Sequence, residues 1–171
     1  MKTKIFLFTV LLTISVFSCK DKSDDFNGFD DFLDLNYFLT HEYFPEYDSL
    51  ALLDNVVSFN TDTKEIQFSG IPNNSIKQGR RIILIHKNKI LFQLPVFSPA
   101  NSAIHNNYVI LIDNSKCFFL DAYPEIYEKW PDYITERMIK ERKENAEKQK
   151  KSWDFFIKYL TDADKILKVN Y

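Results

Sequence analysis

The chain has 171 residues, 45% of them hydrophobic, and a formal net charge of −2; it holds sixteen Phe, nine Tyr and two Trp but only three Gly and two Cys. That charge gives no electrostatic footprint for nucleic acid. Three isolated glycines build neither a Walker loop nor a dinucleotide fingerprint, and two cysteines leave no disulfide framework to stand in for a core.

The chain opens with Met1-Lys-Thr-Lys4 and an apolar run from Ile5 to Phe17 that is too short to span a bilayer as a helix of about 20 residues. Ser18, a small residue, then precedes Cys19 and the polar stretch Lys20-Asp-Lys-Ser-Asp-Asp25. Val16-Phe17-Ser18-Cys19 resembles the lipobox of bacterial lipoproteins, with Phe17 larger than the residue usual at its place. The resemblance implies cleavage before Cys19 and acylation of its thiol, palmitate being the kind of chain expected. It also implies anchorage of the mature protein to a lipid bilayer in the cell envelope. Several acyl chains on one residue hold firmly, at roughly 0.8 kcal/mol per buried methylene. The lysine and paired acids after Cys19 resemble the sorting segments of Bacteroidota surface lipoproteins. Lys20 directly after the cysteine resembles outer-membrane sorting, with a periplasmic or surface face. An ordinary secretory leader and an uncleaved anchor remain the alternatives.

Residues 1–18 are thus read as a signal peptide, 19–28 as the lipidated cysteine with a tether, and 29–171 as a single α+β domain. Loss of Lys2 and Lys4 takes the formal charge from −2 to −4. The tether from 20 to 27 reaches about 26 Å at roughly 3.3 Å per residue. Asp24-Asp25 and Asp30-Asp31 are adjacent pairs whose side chains diverge on a helix, and they read as tether and cap. Asp30 or Asp31 is expected to cap a first helix carrying Phe29, Phe32, Leu33 and Tyr37, with Pro45 interrupting the region beyond it. Ser49 to Val57 is expected to be a short helix running into a strand.

Val56–Phe59 and Glu65–Phe68 read as strands around the turn Asn60–Lys64. Two hairpins follow, Arg81–Leu94 with its turn at His86–Lys89 and Tyr108–Asp121 with its turn at Asp113–Lys116. These elements predict an antiparallel sheet of five or six strands covered by N-terminal and C-terminal helices. From Asp132 the pattern turns helical. Trp153, Phe156, Ile157, Leu160 and Leu167 recur at helical spacing, with Asp164 interrupting the row. Residues 139–151 carry almost no apolar stripe, so two helices are expected, broken near Lys150–Ser152 with Ser152 as the second N-cap.

Charge divides unevenly. Residues 20–54 hold ten acids against Lys20 and Lys22, whereas residues 136–151 hold seven bases against four acids. The two poles either meet inside the fold or face a partner.

No catalytic set assembles from the sequence. His41, His86 and His105 share no metal-ligand spacing, no Gly-x-Ser-x-Gly elbow is present, and no metal or other cofactor is expected. His86, beside Lys87 and Lys89, reads as an exposed solubilising residue, and Cys117, in Cys117-Phe-Phe-Leu120, as a buried inert thiol. The polar loop holding Asn101, His105, Asn106 and Asn107 is the candidate mouth of a small-ligand pocket. Tyr37, Tyr43, Phe44, Tyr47, Tyr123, Tyr127 and Trp130 form a candidate protein-contact surface unless they cover the sheet. The reading reached is a non-catalytic envelope component that binds or assembles with an envelope protein partner. An inhibitor or immunity-type lipoprotein, and a small-ligand-binding protein or hydrolase with its site near His41 or His105, stand as alternatives.

Overall fold

The computed structural model describes residues 31–41, 49–70, 76, 78–100, 104–122 and 134–168. At its centre lie β5 (Arg81–His86) and β6 (Lys89–Phe97), paired antiparallel across the two-residue turn Lys87-Asn88, where Lys87 takes φ +51°. Their residues are apolar on both faces, so both faces need cover. Ile82, Leu84, Phe92 and Leu94 enter one cluster, while Ile83, Ile85 and Ile90 enter another on the opposite side. Helix α1 (Leu35–His41) covers the second cluster with Phe38 and Leu35. Helix α2 (Glu136–Asp162) covers the first with Phe155, Phe156 and Leu160.

The next hairpin, β7 (Val109–Asp113) with β8 (Lys116–Leu120), turns through Asn114 at φ +47° and Ser115 at φ +66°. Two successive positive φ values twist a tight turn in the sense that neighbouring strands demand. A third hairpin joins β3 (Val56–Asn60) to β4 (Glu65–Phe68). Its turn is held by Asn60 Oδ1, which accepts the backbone N–H groups of Asp62 at 2.9 Å and Thr63 at 2.8 Å.

Three short strands complete the sheet: β1 (Leu33–Asp34), β2 (Ser49–Leu52) and β9 (Ile166–Leu167). The order is β2-β5-β6-β7-β8-β4-β3-β9, with β1 paired to the first residues of β6. β2 runs parallel to β5, β7 parallel to β6 and β9 parallel to β3. Laid flat, the path from β2 to β3 would be about 29 Å wide at roughly 4.8 Å per strand. Yet β2 and β3 are joined only by the 3-10 turn Leu53–Asn55, a reach of about 14 Å at full stretch. The sheet therefore curls back on itself. Leu53 and Val56, fully buried at the joint, share one core with α2.

This architecture corrects the expected sheet of five or six antiparallel strands built on two hairpins. The molecule is α+β, but among the described residues its sheet has nine strands and mixed direction. The parallel pairings were hidden because parallel neighbours are joined by crossovers and leave no local turn signal. Two-residue strands such as β1 and β9 leave no period to read. The helix expected at the start of Ser49–Val57 is also corrected: the segment is β2, a 3-10 turn and the start of β3.

The predicted break near Ser152 is absent, and α2 is one helix of 27 residues. Thr135 caps it, its hydroxyl accepting the Met138 N–H at 3.2 Å. At the other end Asp164 takes φ +56°. The Lys165 N–H returns to the Leu160 carbonyl at 2.8 Å and the Asp164 N–H to that of Thr161 at 3.1 Å, closing the helix in a Schellman motif without glycine. Lys165 then leads straight into β9, its carbonyl accepting the Phe59 N–H at 2.9 Å.

The expected first helix is corrected too: Leu33 lies in β1, α1 begins at Leu35, and Asp34 rather than Asp30 or Asp31 accepts the Asn36 and Tyr37 N–H groups at its start. His86 is a further correction. It is 3% exposed, packed against Phe155 and Tyr159 with centroids 5.4 and 4.8 Å away. Alternation along β5 explains this, since Ile82, Leu84 and His86 point to the α2 side together.

Candidate functional site

The loop before β7 was the predicted ligand mouth, and its described part is joined to α2. Glu141, Asn145 and Gln149 stand four residues apart, which sets them in one row along the helix. Asn106 Nδ2 donates to Glu141 Oε2 at 3.1 Å, and Asn145 Nδ2 donates to the Asn106 carbonyl at 2.7 Å. Gln149 Nε2 donates to Asn107 Oδ1. Beside that row, Arg142 Nη2 reaches both carboxylate oxygens of Asp121, at 2.7 and 2.9 Å. Arg137 also donates to Glu141 at 2.7 Å, and these hydrogen bonds hold the Glu141 carboxyl below its usual range, Arg137 first and Asn106 second. Amides and charges thus replace the missing apolar stripe over residues 139–151. This explains why the helix continues where the hydrophobic pattern stops.

His105 lies tilted against Phe97, centroids 4.3 Å apart, and its partial burial lowers its pKa. Asn106 and Asn107 spend polar atoms on α2, so this part of the loop is a seam. Asn101 lies outside the described residues. Next to the seam is a cavity of about 390 Å³ lined by Asp121, Ile139, Arg142, Lys143 and Ala146. Its lining joins two apolar side chains to two cations and one acid. A second hollow, about 330 Å³, runs along β4 and β8 beside the ion pair of Lys116 with Glu65 at 3.0 Å. Cys117, on β8, is buried, and burial followed by the nearby Glu65 charge pushes its thiol up to about 11.

Of the candidate contact aromatics, Tyr37 is described, and it is 56% exposed on α1. Tyr43, Phe44, Tyr47, Tyr123, Tyr127 and Trp130 lie outside the described residues, as does Cys19. His41 is the last residue of α1. Sequence reading missed a different apolar group. Leu50 and Leu52 stand opposite Ile83 and Ile85 in register, hence on the α1 face, yet they are 42% and 43% exposed. Leu39 of α1 is similarly exposed. Among the described residues β2 is the last strand of its side of the sheet. The pattern Ser49-Leu-Ala-Leu52 carries the strand signal in its alternation, too short to outweigh the helical reading of the segment.

The acidic front and the basic helix meet at one described point. Lys151 Nζ donates to Asp31 Oδ2 at 2.6 Å and lies over the Phe32 ring, and this lysine lowers the Asp31 pKa.

Among the described residues no group of three or more His, Cys, Asp or Glu is placed to hold a metal, and no helix is long and apolar enough to cross a membrane. No family model, curated protein or solved structure matches the chain.

Proposed function

We propose that the protein is a lipid-anchored component of a bacterial cell envelope that works by binding another envelope protein. The anchor half of this reading rests on the leader and Val16-Phe17-Ser18-Cys19. The binding half is carried by one observation, the exposed pair Leu50 and Leu52 on strand β2. Apolar side chains grouped on an outer strand are the kind of surface that a partner protein covers.

The test is site-specific photocrosslinking from position 52 in native envelopes, compared with the same probe at Gln67, an exposed residue of β4, five strands along the order from β2. One defined adduct from position 52, lost in Leu50→Lys, supports the reading. Identical, diffuse labelling from both positions rejects it. Mass spectrometry of the mature N-terminus tests the anchor separately, through acyl chains on Cys19.

A further inference from the structure

Helix α2 is held in two unlike ways along its length. From Trp153 onward it is bound by the core: Phe155, Phe156 and Leu160 are buried, and Trp153, Ile157 and Tyr159 pack around them. Before Trp153, none of its residues belongs to a core cluster of the described residues. Its described ties there are those of Glu141, Arg142, Asn145 and Gln149 to Asn106, Asn107 and Asp121, with Lys151 joined to Asp31 at the end next to Trp153. Ile139, at 43% exposed, faces the neighbouring cavity.

These two attachments differ in strength. Each polar contact nets little, because water competes for the same groups. A large apolar side chain buried in the core has no such competitor, since leaving it re-exposes its whole surface to water. A helical stretch of about 15 residues released from its support is marginal in water.

We infer that residues 136–150 form an arm that unlatches from the loop at 105–107 and from Asp121 while residues 153–162 stay in the core. The latch is the polar row. The hinge falls near Gln149–Ser152, where polar attachment gives way to aromatic packing. Unlatching carries Ile139 and Ala146 away from Asp121 and opens the 390 Å³ cavity between them. The device is local, since the core residues of α2 lie beyond the hinge.

Amide hydrogen exchange of the whole chain tests this. In the unaltered protein, residues 138–150 should exchange at least tenfold faster than residues 155–162. Asn106→Ala and Asn107→Ala lie off the helix and leave its intrinsic propensity untouched. In the double variant the arm should exchange roughly fivefold faster again, as expected for the loss of one or two such bonds, with 155–162 and 82–94 unchanged. Equal protection along the whole of α2 in the unaltered protein would overturn the inference, and so would a folded double variant whose arm exchanges at the original rate. If the double variant does not fold, the contrast between the two halves of the unaltered helix decides alone.

Discussion

Tyr108 and Trp153 lie ring on ring, centroids 5.4 Å apart and planes 17° from parallel, which joins the start of β7 to α2 where the helix enters the core. Trp153 also meets Phe59 and Phe119 edge-on at 5.9 and 5.5 Å. It therefore bridges β8 and β3, which β4 separates in the sheet. Trp153→Ala should lower unfolding free energy by about 3 kcal/mol, measured by denaturant titration. A loss under about 1 kcal/mol would mean that the helix enters the core elsewhere.

Base should weaken the fold through two buried acids. Burial, with Asp121 and Asp154 nearby, pushes Tyr108 up to about 12, and burial with Glu65 pushes Cys117 up to about 11. Both folded values lie above the unfolded ones, near 9.0 for the thiol and 10.0 for the phenol. Below pH 9 neither group discriminates between the states. Above it the unfolded chain sheds protons that the folded chain keeps, so stability falls. For Cys117 the loss reaches about 2 kcal/mol by pH 11. Cys117→Ala should flatten the stability profile between pH 9 and 11, whatever its constant cost. The native thiol should also resist a disulfide reagent at pH 8 and react at once when the chain is unfolded.

His86 fills space between Phe155 and Tyr159, where Tyr159 also donates to Asp54 Oδ1. His86→Ala should cost about 2 kcal/mol, seen as a lower denaturation midpoint with an unchanged slope. Full stability in that variant would show that the ring is not a packing element.

Asp164 stops α2 at φ +56°, a conformation that costs an ordinary residue roughly 1 kcal/mol and glycine almost nothing. Asp164→Gly should raise stability by about 0.5–1 kcal/mol, visible as a melting temperature about 1–4 °C higher. A lower melting temperature would show that the Asp164 side chain contributes more than its backbone strain costs.

The hairpins were legible because their signals are local. Ile82–Ile85 and Val109–Ile112 are β-rich runs beside polar turns, and each pairs with the next run in the chain. What stayed hidden depends on distant partners. Leu50 and Leu52 gain their strand geometry from Ile83 and Ile85, more than thirty residues away. β9 is two residues long and exists because Phe59 and Asn60 lie beside Ile166 and Leu167. The unbroken α2 followed from hydrogen bonds to Asn106 and Asn107, which a search for apolar periodicity does not see. The polar neighbours Lys87 and Lys89 mask the phase of His86 along β5, which is what buries it.

The stitching of β2 to β3 by Leu53–Asn55 has a kinetic consequence. Those two strands are neighbours in the chain but lie far apart along the sheet, and the helix that fills the curl comes from residues 136–162. β3 also waits for Ile166 to gain its outer neighbour. A polypeptide emerging head first, from a ribosome or a translocation pore, can close its early hairpins but cannot seal its interior until its tail arrives. Such long-separation contacts slow folding, so this chain stays open through nearly all of its passage and sets only at the end.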